Sequence, residues 1–426
     1  MQVETSPFGP DAMPVSLLGF GCGAVGGLMV RGAQADQERA VARALESGIN
    51  YFDTAVAYGN GASEQHLGSV LRKLGAQDAI IGTKVLLRPA EFGRIAEAAA
   101  ESVDGSLRRL QRDCVDIFHL HNAVTLDGGG ESLSVRQLLE EVVPAFQTLR
   151  AAGKLRLLGL TAVGETVALQ QVIDAGAFGS AQIVYNMLNS SAGSHLPAGY
   201  PAQDFGRLFE QTRRARTGVV GIRVLAGGAL SGSTDRHAVA SPAPEPIGSA
   251  LSYDTDVQRA SRLMPLVTKG FAASLPEAAI RFAITHPAMG TILIGMASVD
   301  EFEGALAAVL KGRCQRRRCA GSPNSPQASR ARCDDASDPD RALWRTRRRI
   351  ARVIGWHRAV TRKPLPSSGK QEGSKWTGAF ASGSRKSSSW LTPPAGALPA
   401  VRSRSTQRSG RGSPRSSGSC SPPRWR

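Results

Sequence analysis

From Val15 onward the sequence alternates short β-branched or leucine-rich runs with helical stretches, and this alternation restricts what the chain can fold into more than any other feature. The strand candidates are 15–21, 50–55, 79–84, 114–121, 155–162, 180–186, 219–225 and 291–296. Eight strands, each followed by a helix, within about 300 residues predict a (β/α)8 barrel, an α/β fold of the TIM type. A doubly wound open sheet is the alternative. In the first helical stretch, 36–48, Ala40, Val41, Ala44 and Leu45 fall on one stripe and Gly48 stops the helix. Ser274 with Pro276 and Glu277, and Ser298 with Glu301, spell helix starts in which the serine caps and the glutamate reaches back. No internal repeat is visible, and residues 190–256, rich in Gly, Pro, Ser and Ala, read as long loops outside the core.

The chain has 426 residues with 52 Lys and Arg against 35 Asp and Glu, a net charge of +17 that invites a nucleic-acid reading. That charge is not spread evenly. Residues 313–426 hold 26 basic and five acidic side chains, which leaves 26 and 30 for residues 1–312. The same break collects all five Trp and four of the six Cys beyond residue 312. We therefore divide the chain into a barrel domain, 1–312, and a low-complexity basic tail, 313–426, whose Ser, Pro, Gly and Arg content predicts disorder. No apolar run reaches the ~20 residues of a membrane helix, and the first residues lack a signal peptide's basic and apolar regions. These features predict a soluble, cytoplasmic protein, and Cys22 and Cys114 alone in the body give no disulfide framework.

Gly21-Cys22-Gly23-Ala24-Val25-Gly26 matches the G-x-G-x-x-G pattern of a dinucleotide-binding turn, with Asp53 downstream. Such a fingerprint needs a helix that opens at the glycines, whereas 27–32 read as loop until about Asp36. The glycines are better explained as a loop passing close to a ligand or another backbone. More informative are Asp53, Tyr58, Lys84 and His121, at or just after the ends of three consecutive strands, where a barrel gathers its active-site groups. A lysine closing an apolar strand is costly unless paired, and Asp53 is its natural partner. His119, two residues before His121 and on the same strand face, is the competing histidine. The six His of the body show no metal-ligand spacing.

Segments 48–64, 80–85 and 115–122 resemble the signature segments of the aldo-keto reductases, and the resemblance covers about 15–311. It implies a (β/α)8 barrel, an NADP or NAD cofactor, a small carbonyl or sugar substrate, and a catalytic tetrad of Asp53, Tyr58, Lys84 and His121. The tyrosine would donate the proton, Lys84 would favour its phenolate, Asp53 would fix the lysine, and His121 would orient the carbonyl. Cofactor contacts would fall on Gly21, Thr161, Gln182, Arg223, Gly295 and Ser298. The chain departs from the family where Thr161-Ala162 replaces a Ser-Asn pair and where Ile222 or Arg223 replaces a stacking tyrosine, for which the Arg223 guanidinium plane could substitute. Residues 295–302 offer no cation for a 2′-phosphate, and Asp300 and Glu301 would repel one, which makes NADH plausible.

Two other readings compete with the enzyme. The barrel could serve as a cofactor-binding, redox-sensing regulatory subunit, and the tail, with Arg316–Arg318, Arg347–Arg349 and its tryptophans, could be a nucleic-acid arm. A third account of the tail is a shifted reading frame. With one choice of codons for 313–319, the frame one base earlier reads Pro-Leu-Pro-Glu-Ala-Ala-Leu, the start of an amphipathic helix.

Overall fold

The computed structural model describes residues 1–197 and 199–313. Eight parallel strands close into a barrel: β1 Leu18–Gly21, β2 Tyr51–Asp53, β3 Ile80–Val85, β4 Val115–Leu120, β5 Leu155–Thr161, β6 Ser180–Val184, β7 Gly218–Ile222 and β8 Met289–Gly295. They follow one another around the barrel in chain order, and β8 closes on β1 with Gly295 opposite Gly21. Parallel neighbours need a crossover, and each is made through a helix. Gln34–Glu46, Ala62–Lys73, Ile95–Leu110, Val143–Ala151, Thr166–Asp174, Leu208–Ala215, Leu275–Thr285 and Val299–Leu310 form the outer layer. Every residue of β3 and β4 is buried, because alternate side chains face the barrel interior and the helices. All eight predicted strands are therefore present, and the open-sheet alternative is excluded.

The helix boundaries follow the sequence. Helix Gln34–Glu46 buries Ala40, Val41 and Ala44 and ends before Gly48, whose φ of 80° supplies the left-handed turn. Ser274 and Ser298 cap their helices by accepting from the N–H groups of Glu277 and Glu301. Each glutamate reaches one residue further back than a simple capping box, to the N–H of Ala273 and of Ala297.

Three expectations need correction. The predicted first strand, 15–21, is divided: Met13–Ser16 pairs with Thr5–Phe8 in an antiparallel hairpin, and only Leu18–Gly21 enters the barrel. The hairpin brings Phe8 and Met13 to the bottom of the barrel, where they pack with Tyr51, Ile80, Ile117, Leu157, Val220 and Leu293 as an apolar floor. Residues 27–32 are not all loop, since Leu28–Arg31 make one helical turn after Gly27. Nor is 190–256 wholly outside the core: helix Leu208–Ala215 lies within it, and Phe205, Leu208 and Phe209 are buried. No helix among the described residues is long and apolar enough to cross a membrane. Residues 314–426, and so the readings made of the tail, lie outside the described residues.

Behind β3, Glu64 is fully buried. It accepts from Thr83 Oγ1 at 2.6 Å and from Arg109 Nε at 2.6 Å, joining helix Ala62–Lys73 to β3 and to helix Ile95–Leu110. Removing one partner of a buried ion pair strands the other charge. We expect Arg109→Met to cost about 3 kcal/mol in urea unfolding. A change within about 0.5 kcal/mol would place the pair among inconsequential surface interactions.

Candidate active site

The polar groups of the barrel gather above the apolar floor. Asp53 ends β2 and Lys84 lies near the end of β3, and both are almost fully buried. Lys84 Nζ donates to Asp53 Oδ1 and to the carbonyl of Thr54 at 2.8 Å. The other carboxylate oxygen, Oδ2, accepts from Tyr51 Oη at 3.1 Å and from Gln182 Nε2 at 2.6 Å. Burial raises the Asp53 carboxyl above the ordinary carboxylate range, and Lys84, Tyr51 and Gln182 offset this only in part. Burial alone would depress the Lys84 ammonium, yet Asp53 and Tyr58 together carry it above the usual lysine value. The lysine is therefore a fixed positive charge at neutral pH.

Tyr58 sits in the loop after β2, half-buried, with its ring centroid 4.8 Å from Lys84 Nζ. The loop is mounted at both ends. Thr54 and Ser63 share a hydrogen bond at 2.8 Å, Ser63 donates to the carbonyl of Cys22, and the N–H of Ser63 bonds the carbonyl of Tyr58. Burial raises the Tyr58 phenol despite the lowering pull of Lys84, and Asp53 adds to the rise. Lys84 favours the phenolate, as expected, but burial outweighs it: the hydroxyl keeps its proton, and the lysine's influence is felt when the proton leaves that oxygen. His121, one residue past β4, meets the Tyr58 ring edge-on with centroids 5.9 Å apart. Burial and the Lys84 ammonium push its imidazole down to about 3, so the ring is neutral, and its buried Nδ1 has no hydrogen-bond partner. His119 lies deeper in the barrel, tied to Ser180 Oγ at 3.1 Å. A site containing a neutral imidazole, a protonated phenol and a buried ammonium can bind a carbonyl oxygen and supply it with a proton.

The expected cofactor residues fall around this cluster. Gly295, Gly21 and Asp53 are successive register partners across β8, β1 and β2. A Cβ at Gly21 would stand 2.7 Å from the carbonyl oxygen of Ile294, so this glycine is required for the two strand ends to approach. Thr161 and Gln182 pair across β5 and β6, with Thr161 Oγ1 donating to Gln182 Oε1 at 3.4 Å. The Gln182 amide is thus committed to Asp53 and Thr161. Arg223 follows β7 with φ 55°, its carbonyl held by Asn186 Nδ2 at 2.9 Å and its guanidinium reaching the Glu245 carbonyl at 3.3 Å. The Ser298 hydroxyl is occupied in capping its helix. No group of His, Cys, Asp and Glu suited to hold a metal occurs among the described residues.

Residues 17–313 match the model of the Aldo/keto reductase family. The chain belongs to that family. L-galactose dehydrogenase of Arabidopsis thaliana is 28% identical over 312 residues, covering 72% of this chain and 88% of the relative. A solved aldo-keto reductase from Bacillus halodurans, in its holo form, superposes with a TM-score of 0.53 at 26% identity, covering 72% of this chain and 91% of that one. An aldo/keto reductase from Klebsiella pneumoniae in complex with NADP and acetate shares the fold, with a TM-score of 0.51 at 21% identity over 72% and 89% of the two chains.

The barrel of this family member also uses residues that sequence reasoning passed over. Tyr51, two positions before Asp53 and therefore on the same strand face, could have been found by its spacing. Arg31, Arg236 and the segment around 239–241 could not. Arg31 donates to the carbonyls of Val239 and Ala24, Arg236 to those of Ser241 and Gly227, and the N–H of Ser241 to Val25, strapping this segment onto the glycine-rich loop. In an imidazole titration by NMR, the His121 ring should show no inflection between pH 5 and 8, because its value lies at about 3. An inflection near the ordinary histidine value of ~6.5 would contradict the burial and the Lys84 field.

Proposed function

We propose that the chain is an NADH- or NADPH-dependent reductase of an aldehyde, ketone or sugar carbonyl, or an oxidant of the matching alcohol, with Tyr58 as the proton donor. The observation that carries this reading is the joining of Tyr58, Lys84, Asp53 and His121 at one end of the barrel, with the tyrosine protonated and the lysine charged. The long match to L-galactose dehydrogenase favours a sugar as substrate.

The residues present fit a dinucleotide. Gly295 leaves the exposed end of β8 without a side chain, and the half-buried Arg223 guanidinium after β7 supplies a planar cation, while the Thr161 hydroxyl is bonded to the Gln182 amide and that amide to Asp53. When bound, the cofactor supplies or accepts the hydride. The chain's own groups do the rest. His121, kept neutral by burial and by Lys84, orients the carbonyl oxygen. Tyr58 Oη transfers its proton to that oxygen as negative charge grows there, and Lys84, 4.8 Å from the ring, stabilises the phenolate left behind. Asp53 holds the ammonium in place and balances its charge.

The reading is tested by NADH and NADPH oxidation against a panel of aldehydes, ketones and sugars, and by the reverse reaction with L-galactose. No turnover with any of them would overturn it. Tyr58→Phe should lower kcat by about 10²–10⁴-fold, the usual share of a proton donor, while cofactor affinity, measured by isothermal titration calorimetry, stays within about twofold. A wild-type rate in that variant would remove Tyr58 from the chemistry.

Cofactor choice follows from the start of helix Val299–Leu310. Glu301 accepts the Ala297 N–H at 2.7 Å, and Asp300 lies beside it in the first turn, so this turn carries two carboxylates and no cation. A 2′-phosphate gains nothing there. We expect kcat/KM for NADPH to exceed that for NADH by less than about a hundredfold, ~2.7 kcal/mol. A larger preference would require a phosphate-binding cation from another part of the chain.

A further inference from the structure

We propose that Tyr51 is a positioning residue for the Asp53–Lys84 pair, donating from inside the barrel to the carboxylate oxygen that the lysine does not use. The inference rests on the roles proposed above for those two residues.

Tyr51 is the first residue of β2 and is wholly buried. Its ring belongs to the apolar floor with Phe8, Ile80, Ile117, Leu157 and Val220. The flanking strands leave space for it. A Cβ at Gly19 on β1 would stand 2.8 Å from Tyr51 Cδ1, and one at Gly82 on β3 would stand 2.7 Å from Tyr51 Oη. Filling an apolar layer does not require a hydroxyl. A phenol buried there costs free energy unless its O–H finds a partner, and this one finds Asp53 Oδ2 at 3.1 Å. Gln182 Nε2 reaches the same oxygen from β6, on the opposite side of the barrel, at 2.6 Å. Both donors leave Oδ1 to Lys84. Tyr51 is the only one of the three that is anchored in the apolar floor, so it ties the height and rotation of the carboxylate to the rigid part of the fold.

The charge on Asp53 depends on these donors. Burial raises its carboxyl, while Lys84 from β3, Tyr51 from β2 and Gln182 from β6 lower it. The other titratable groups that face the cluster are Tyr58 in the loop after β2, Cys22 after β1, His119 and His121 on β4 and beyond it, and Arg223 after β7. The two histidines are held neutral by burial and by Lys84, and the Tyr51 phenol is pushed well above its usual value by burial and by Asp53, so it remains a donor throughout the working range. Loss of the Tyr51 hydroxyl removes one stabiliser of the ionised carboxylate and raises Asp53 further. Protonation of Asp53 releases the lysine from its partner, so the acid limb of activity moves to higher pH.

The test uses the full chain and Tyr51→Phe. The acid limb of kcat/KM should move up by about one pH unit, a tenfold change in the proton equilibrium equal to ~1.4 kcal/mol. The rate on the neutral plateau should change much less than the limb. In the ligand-free protein, the Asp53 carboxyl carbon followed by NMR should titrate higher by the same interval, a readout that does not depend on turnover. If Tyr51→Phe does not fold, 3-fluorotyrosine at position 51, a stronger donor in nearly the same volume, should move both readouts to lower pH. Superimposable carboxyl titrations in wild type and variant would overturn the inference while leaving the reductase reading intact. A wild-type chain without carbonyl reduction, but with the carboxyl shift on substitution, would instead overturn the reading of function and keep Tyr51 as the holder of Asp53.

Discussion

The ion pair between Lys84 and Asp53 sets the terms for the rest of the site. Two opposite charges have been taken out of water into the upper part of a barrel, at a desolvation cost of several kcal/mol per ion. Such a pair is tolerable only if every remaining lone pair and proton finds a partner. Here Tyr51 and Gln182 satisfy the second carboxylate oxygen, and the Thr54 carbonyl takes a second lysine proton. The arrangement needs groups from β2, β3 and β6, which only the closed barrel brings to one point. Its consequence is a fixed ammonium beside the Tyr58 ring and near His121, which adds to burial in keeping the imidazole neutral and acts on the phenol at the moment it gives up its proton.

The apolar floor and the polar layer above it are complementary. The N-terminal hairpin closes the bottom of the barrel with Phe8 and Met13, so the layer beneath the ion pair is apolar. Burial then raises Asp53 and Tyr58 and lowers both histidines, and the same low-dielectric surroundings strengthen each hydrogen bond in the network. The Tyr58 loop is held from outside the barrel by Ser63 and by the Glu64–Arg109 pair. Rigid mounting of the donor is what the proposed proton transfer requires.

Much of this was legible in the residues. Strand periodicity placed all eight barrel strands, and the strand-end rule placed Asp53, Tyr58, Lys84 and His121 together, because both rest on local patterns of two and on the handedness of parallel connections. The hairpin was missed because Thr5–Phe8 contains Pro7 and reads poorly as a strand, and because Met13–Ser16 runs into β1 without a turn residue. Gln182 is expected from the sequence only as a cofactor contact, and the hydrogen bond it makes to Asp53 joins residues 129 positions apart, a contact that no local pattern encodes. The expected phenolate-favouring lysine accounted for the charge and omitted the burial that outweighs it. The strap held by Arg31 and Arg236 uses main-chain carbonyls, which carry no sequence signal at all.

The central claim is that Lys84 and Asp53 act as one unit, so the most direct measurement is a double-mutant cycle on kcat/KM with Asp53→Asn, Lys84→Met and the pair together. If Asp53 works only through the lysine, each single substitution removes the function of the pair, and the double variant is no slower than the slower single variant. Losses that multiply, with the double variant slower than wild type by the full product of the two single effects, would show two independent contributions and contradict the account.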